Sequence, residues 1–354
     1  MKISAYLSFA MLIFSSPAIP YSILWVGAAG EPLQPRHARE MAMGGVSIAV
    51  PYHLAGPNPA SLSLARTSSS LTGVQEIVSS GDGEDRVTSY DFRLPELTLA
   101  FPLPWDATID ARYTQAIDAD FDLASNGTVD DIPFVHELSR DGSIGNVSIG
   151  VGKTFNVVTV GLRGGFNFGS FQDEQRIDFE SQEYEDSYDQ LLREFSGFAY
   201  DAGFLLRLAG FSVGGVHRAK SDCGSDLLLP PSYGIGLAYS HRNLLMGVDY
   251  NTSVWSESDD EYENAYSAGV GCEYALGQTK LRAGYRYSSS YCYDITEHTI
   301  SAGFGFPFRQ VNGGLELAVE TVLRSSNQDL NERLVRLGFT FWGGEKWERR
   351  TTYP

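Results

Sequence analysis

Three basic side chains on one short stretch have the spacing of a carboxylate-binding site. Lys280, Arg282 and Arg286 are separated by even numbers of residues, so on a strand all three point to the same side. A guanidinium can bind a carboxylate through two parallel hydrogen bonds, which would suit the head group of a fatty acid. The stretch therefore offers candidate ligand-binding residues.

The trio belongs to a larger set of charged residues that share the predicted inner face of a sheet. Both signs occur in nearly equal numbers, so a structural network of paired charges inside a partly wet interior would need the same residues. The sequence leaves the network and the binding site open as alternatives. The set comprises Asp110, Arg112, Arg163, Asp201, Arg207, Asp249, Lys280, Arg282, Arg286, Glu316, Glu320, Glu332 and Arg336.

Catalytic chemistry has little support in the sequence. A lipase-like or acyltransferase-like site needs a Ser, a His and a polar partner close together. Only His298 falls within a predicted strand, on its outer face, and no Ser follows two residues later. No Cys and His pair has metal-ligand spacing, and no phosphate-binding glycine loop precedes a helix. We predict a protein that is not an enzyme, without catalytic residues, metal or cofactor; an outer-membrane lipid enzyme is the distant alternative.

The elements that would position these side chains are strands, because large apolar residues recur at every second position. Between Tyr233 and Tyr287 four consecutive stretches share this alternation. The pattern fits an antiparallel sheet but does not show whether the apolar face contacts a core or a lipid bilayer. It predicts fourteen strands at residues 68–78, 91–101, 107–117, 144–155, 157–168, 197–208, 211–216, 232–240, 244–254, 264–274, 279–287, 297–306, 314–323 and 331–341.

The connections between these strands favour a membrane barrel over a soluble sandwich. They alternate between short and long along the whole chain, as an up-and-down transmembrane barrel with short turns at one end requires. The acidic runs all fall in the long connections. The short connections are residues 102–106, 156, 209–210, 241–243, 275–278 and 307–312, and the long ones are 79–90, 118–143, 169–196, 217–231, 255–263, 288–296 and 324–330.

Composition and chain termini agree with an exported barrel. The 354 residues carry 26 Lys and Arg against 44 Asp and Glu, and the net charge of −18 argues against a nucleic-acid partner. The apolar N-terminus after Lys2 predicts a signal peptide over residues 1–29, with an N-terminal membrane anchor as the alternative. The barrel should then span residues 67–342, and a polar periplasmic tail residues 343–354.

Residues 30–66 lack the strand pattern and are predicted to form a hatch that fills the barrel. Fourteen strands enclose more space than wall side chains alone can fill. The small residues around Gly44 and Gly45, followed by Asn58, Pro59 and Ala60, resemble the hatch of the FadL-type outer-membrane transporters of long-chain fatty acids. Residues 229–233 and 281–285 resemble the openings of late strands in the same family. Residues 50–53 depart from the family, in which many members carry acidic residues there.

The resemblance implies a monomeric bacterial outer-membrane protein that contacts membrane lipid and lipopolysaccharide and passively transports hydrophobic or fatty-acid-like molecules. In this family outer loops capture the ligand, which leaves sideways through the wall or past the hatch. FadL-like barrels also include PorV-type scaffolds, so a secretion-system partner is the alternative function. Apolar loop residues could form the capture groove or merely cap the barrel, and they include Phe134, Leu138, Leu191, Phe195, Leu227, Leu228 and Leu229.

Two cysteines, Cys223 and Cys292, fall in predicted long loops. If these loops share one end of the barrel, an oxidising compartment would allow a disulfide between them, and the alternative is two free thiols.

Overall fold

A computed structural model describes residues 28–33, 36–51, 56–62, 67–81, 86–129, 132–181, 184–224, 227–308, 312–326 and 331–345. The predicted signal peptide up to residue 27 and the predicted tail beyond residue 345 lie outside the described residues. Gly343 to Glu345, which the prediction assigned to the tail, continue the last strand and pair with Thr67 to Ser69.

The chain forms a closed antiparallel barrel of fourteen strands, as predicted. Each strand pairs with the next along the chain, and the last pairs with the first from Asn331 opposite Gly81 to Glu345 opposite Thr67. The strands are β1 Thr67–Gly81, β2 Arg86–Leu103, β3 Ala107–Asp118, β4 Ile132–Phe155, β5 Val158–Phe179, β6 Ser187–Leu208, β7 Phe211–Arg218, β8 Ser232–His241, β9 Leu244–Ser253, β10 Ala265–Leu276, β11 Thr279–Ser289, β12 Thr296–Phe308, β13 Gly313–Ser325 and β14 Asn331–Glu345.

The two ends of the barrel differ in their connections. At the end that we call the turn end, neighbouring strands are joined by tight turns with left-handed backbone at Asn156, at Ala209 and Gly210, and at Gly277. This conformation matches the twist of a two-stranded hairpin. The longer connections all lie at the opposite end, which we call the loop end.

Two predicted loops at the loop end are in fact strands. β4 begins at Ile132, β5 continues to Phe179 and β6 begins at Ser187, and Phe121–Val129 adds a further strand beside β4. We call Phe121–Val129 together with residues 132–143, 169–179 and 187–196 the fin. The prediction missed it because these strands carry acidic side chains on their outer face, which breaks the apolar alternation.

The wall of the barrel is apolar outside and polar inside. Half-exposed to fully exposed side chains form an outer belt, as expected for strands that face lipid. Of the predicted inner charges, Arg207, Lys280 and Glu316 are partly exposed and the others are buried. The belt includes Ile149, Leu162, Phe198, Ile235, Val270 and Ile300.

The described part of the hatch lies inside the ring of strands. It contains one short α-helix, α1 Ala38–Ala42, and a 3-10 helix at Pro59–Ser61. Helix α1 contacts β11 to β14, and the 3-10 helix contacts β4 to β6. No helix among the described residues is long and apolar enough to cross a membrane.

Candidate functional site

Glycines on the inner wall allow the hatch backbone to approach the strands closely. A Cβ atom on Gly284 would lie 2.2 Å from the backbone of Met43 and Gly44, and one on Gly269 would lie 2.2 Å from the Gly44 carbonyl oxygen. Gly44 has a φ of 65° and donates its N–H to Ser301 Oγ at 3.1 Å. The small residues that predicted the hatch therefore pack against glycines of the wall.

Asn58 fastens the turn-end part of the hatch. Its amide nitrogen donates to the carbonyl oxygens of Ile48 at 2.9 Å and Phe204 at 3.0 Å, and its Oδ1 accepts the Ala60 N–H at 2.9 Å. The last bond caps the 3-10 helix that Pro59 begins. Asn58, Pro59 and Ala60 thus form one buried structural motif.

Charged wall residues hold the remainder of the hatch. Asp249 Oδ2 accepts the backbone N–H groups of Ser47 at 2.6 Å and Ile48 at 2.8 Å. Arg39 pairs with Glu273 at 3.0 Å, and Arg112 donates to the Gly56 carbonyl oxygen at 3.0 Å. Because a buried charge is costly unless it is paired, these contacts support the structural reading of the inner charges.

The predicted basic trio also has protein carboxylates as partners. Lys280 lies 3.2 Å from Glu273, and Arg282 lies 2.7 Å from Glu273. Arg282 also lies 3.0 Å from Glu316. The trio lies together on the inner face of β11, where acidic residues of neighbouring strands take the place predicted for a fatty-acid head group.

Arg286 makes the longest polar contacts of the three basic residues. Its Nη1 lies 3.5 Å from Glu320, and its Nη2 donates to Thr299 Oγ1 at 3.4 Å. It lines a polar cavity of about 150 Å³ between the hatch and the loop end. Around it are Gly44 and Gly45 from the hatch, Asp249, and Ser288 to Ser290. Such a lining suits water or a polar solute rather than a hydrocarbon.

An apolar cluster closes the loop end above this cavity, and we call it the cap. The Trp255 and Tyr291 rings stack with centroids 3.9 Å apart, and the Tyr291 hydroxyl donates to the Gly30 carbonyl oxygen at 2.7 Å. Ala28 and Ala29, assigned above to the signal peptide, pack within the cap. Its members are Ala28, Ala29, Ile117, Ala119, Ile144, Phe171, Phe195, Cys223, Leu227, Trp255, Tyr291, Cys292 and Ile295.

The predicted cysteines share the cap but are not linked. Cys223 and Cys292 are both free thiols in this structure and both buried, and the disulfide between them stays a prediction. Desolvation by burial raises the pKa of both, to about 11 for Cys292. The thiols therefore stay protonated at neutral pH, which makes them poor nucleophiles.

The predicted capture residues fall on one continuous surface. Cross-strand register places Phe134, Leu138 and Leu191 on the same side of the fin as Phe171 and Phe195 of the cap. Leu191 is 56% exposed. Leu227 is in the cap, Leu229 packs against it, and Leu228 is half-buried beside them. We call this inner side of the fin, with the adjoining rim of the cap, the fin surface.

A break in the barrel wall is the feature that sequence reasoning missed. The ladder between β2 and β3 ends at Glu96 opposite Thr114, although β2 extends to Arg86 and β3 to Asp118 within the described residues. Each strand has one extra residue beside the break, around Pro95 in β2 and at Ala116 in β3. A proline inside an apolar strand pattern was the available signal, because it cannot donate to a ladder.

Hatch residues occupy the break. Glu31 and Pro32 pair with Asp118 and Ile117 of β3, and the Leu33 N–H donates to the Ala116 carbonyl oxygen at 3.0 Å. Below them is a cavity of about 30 Å³, which is large enough for water. Half of its lining is apolar and half is charged: Leu33, Met41, Val74 and Pro95, with Glu31, Glu76, Arg93 and Arg336. On the outer side Tyr90 and Leu94 are each 49% exposed.

Ion pairs bridge the break where backbone hydrogen bonds are missing. Arg93 of β2 lies 2.9 Å from Asp118 of β3 and 2.6 Å from Glu76 of β1. Arg336 pairs with Glu76 and, at 2.6 Å, with Glu31 of the hatch. Side chains, rather than a backbone ladder, therefore close this part of the wall.

Comparisons with known proteins agree with the fold. A family model described as BamG matches residues 2–209. No curated protein sequence matches the chain. The toluene transporter TbuX of Ralstonia pickettii superimposes with a TM-score of 0.67 at 12% identity, covering 89% of this chain and 99% of TbuX.

Two further solved structures give the same result. The toluene transporter TodX of Pseudomonas putida has a TM-score of 0.64 at 15% identity, with 88% of this chain and 98% of TodX covered. A FadL homologue of Pseudomonas aeruginosa has a TM-score of 0.60 at 13% identity, with 89% and 98% covered. At these identities the similarity establishes the fold, and it confirms the predicted FadL-type architecture.

Proposed function

The chain belongs to the BamG family and has the FadL-type fold, and from these findings we propose that it is a passive outer-membrane transporter of hydrophobic small molecules. Two of the similar structures carry the name of a toluene transporter. The break between β2 and β3 is the single observation that carries the proposal, because it gives an apolar ligand an exit that avoids the polar lumen.

A sideways exit is supported by what lies in the lumen. The hatch is fixed to the wall by Asn58 and Asp249, and the space above it is lined by serines and charges. Moving an apolar molecule through that space would separate these polar groups from water, which is unfavourable. The break offers the apolar side chains of Leu33, Met41 and Val74, beside the ion-paired charges that must separate when it opens.

Capture of the ligand would begin on the fin surface. Phe134, Leu138 and Leu191 offer exposed or half-buried apolar area at the loop end, and an exposed apolar patch usually marks a binding site. Phe195 and Leu227 connect this surface to the cap. The ligand would pass along the edge of the cap and leave beside Pro95 when the ion pairs around Arg93 separate.

The proposal is tested by filling the break from its inner side, away from the serine-lined cavity above the hatch. Val74 is buried at the break, and Leu71 lies on the same strand with its side chain on the outer face. We expect Val74→Trp to lower the uptake of toluene and of a long-chain fatty acid into proteoliposomes at least tenfold. Leu71→Trp is the matched control and should change uptake less than twofold.

Equal uptake by both variants, with the heat-shifted gel band intact, would contradict a transport route through the break. Uptake of only one of the two compounds would identify the substrate class.

A PorV-like scaffold is the second candidate, and the tight hatch and polar lumen favour it. A scaffold needs no pathway, so the cavity of about 30 Å³ at the break would simply stay closed. Native mass spectrometry in mild detergent separates the two functions. A bound apolar molecule supports transport, whereas a stoichiometric second polypeptide without such a molecule supports the scaffold.

A further inference from the structure

The fin ends in an open strand edge. β6 pairs with β5 along its whole length, from Ser187 opposite Ile177 to Leu206 opposite Val158. On its other side the ladder with β7 stops at Asp201 opposite Arg218, and the Ser196 N–H makes one more bond, to the Cys223 carbonyl oxygen. In the described parts of the chain, no strand pairs with residues 187–193 on this side.

The direction of the free backbone groups follows from the bonds lower on β6. The Tyr200 carbonyl oxygen and the Ser196 N–H both point away from β5. Alternate residues of an antiparallel strand point the same way, so the backbone groups of Tyr188 and Leu192 also point away from β5. Their side chains are 61% and 59% exposed.

This edge lacks the features with which proteins usually protect an open strand. Lysine, proline, a bulge or a covering loop prevents edge-to-edge pairing in most sheets. Residues 187–193 contain neither lysine nor proline, and their ladder with β5 has no register shift. The charged side chains of the segment, Asp189 and Arg193, face the inner side of the fin. The backbone edge on the other side of β6 can therefore accept another strand.

Charge defines the kind of strand that fits. Residues 121–143 and 169–196 contain fourteen Asp and Glu against three Arg and no Lys, so they carry a net charge of −11 out of −18 for the chain. A second copy of the fin would meet strong repulsion at this edge. A basic strand with alternating apolar residues would be attracted, and its apolar side chains could cover Tyr188 and Leu192.

We propose that Ser187–Arg193 is a docking site for an extended basic segment of a partner protein, which adds a strand to the fin by β-augmentation. Main-chain hydrogen bonds would supply affinity, and the acidic outer face would select for Lys and Arg. This site is distinct from the break. It shares Leu191 with the fin surface, but the Leu191 side chain faces the opposite side of the strand from Tyr188 and Leu192.

The test uses the full-length protein in detergent and a fluorescent peptide of alternating Lys and Val residues, followed by fluorescence anisotropy. Leu192→Pro removes a backbone donor from the open edge and leaves the β5 ladder intact. We expect this variant to weaken peptide binding at least tenfold. Leu192→Thr keeps the donor, and we expect a change of less than threefold.

A second peptide keeps the test valid if Leu192→Pro fails to fold. N-methylation of alternate residues along one edge removes the strand donors of the peptide without changing its charge. The wild-type protein should bind this peptide at least tenfold more weakly than the unmodified one. Equal binding of the two peptides would show electrostatic attraction alone and would overturn the proposal. Self-association that Leu192→Pro abolishes, without peptide binding, would also overturn it by identifying a second copy as the occupant.

Discussion

The turn end and the fin are built from continuous strands, yet they obey different sequence rules. At the turn end the strands alternate between lipid-facing apolar residues and small or charged residues that contact the hatch. In the fin the same strands carry most of their acids on the outer side, whereas Phe134, Leu138 and Leu191 face the inner side. The surroundings of a strand, rather than its geometry, therefore determine which residue types alternate along it. We therefore expect substitutions near the hatch to affect stability and substitutions on the fin to affect binding.

The largest loss of stability is expected at Asp249. Asp249→Ala leaves two buried hatch N–H groups without an acceptor, and each such loss costs about 1–3 kcal/mol. We predict a fall of about 3–5 kcal/mol in the free energy of unfolding, together with protease cleavage within the hatch. Thermal unfolding followed on semi-native gels measures the first effect. Wild-type stability would show that Asp249 does not hold the hatch.

Glu40 should make the hatch sensitive to pH. Burial, followed by the nearby charge of Glu96, raises the pKa of Glu40 to about 7 from an ordinary value of 4.5. Between these values the unfolded chain releases a proton that the folded chain keeps, so stability falls as pH rises from 4.5 to 7 and then levels off. Over this pH range Glu40 lowers the free energy of unfolding by about 3 kcal/mol. Glu40→Gln keeps an acceptor for Ser47 and should reduce this slope by the Glu40 contribution; an unchanged slope would assign it entirely to other groups.

Two glycines of the wall provide a matched pair. A Cβ atom on Gly284 would collide with the hatch backbone, whereas one on Gly164 meets nothing within 4 Å. We expect Gly284→Ala to cost about 1–3 kcal/mol through overpacking. Gly164→Ala should be neutral or slightly stabilising. Urea titration of both variants measures the difference, and equal effects would mean that the hatch does not press against the wall.

The smallest effect on stability is expected on the fin. Leu138→Ser replaces a half-buried apolar side chain at the loop end. We predict a change in unfolding free energy below about 0.5 kcal/mol, as for surface substitutions, but a clear loss of toluene binding measured by tryptophan fluorescence. A large loss of stability with unchanged binding would reverse the roles assigned to the two ends.

Most of the barrel could be predicted from the sequence because a strand that faces lipid needs an apolar residue at every second position. All fourteen strands were located, and the hatch glycines and Asn58 were recognised by their resemblance to a known family. The extended parts of β4 to β6 were missed, since water on one side lets acids such as Asp141 and Glu174 occupy outward positions. The partners of Arg282 could not be predicted, because Glu273 and Glu316 reach it only through strand register.

The break in the wall could be predicted only in part. Pro95 was visible in the sequence, but the missing ladder depends on bulges in two strands that only the pairing reveals. Its ion pairs join residues far apart in the chain, such as Arg93 with Asp118 and Glu31 with Arg336.

The most direct test of the transport route is a map of where a hydrophobic ligand contacts the protein. A toluene analogue that carries a photoactivatable diazirine would be illuminated with the protein in outer-membrane vesicles, and the labelled peptides identified by mass spectrometry. We predict labelling around Met41, Val74 and Pro95, lost in Val74→Trp and kept in Leu71→Trp. Labelling at Ser288 to Ser290 in the lumen, with none at the break, would contradict the sideways route.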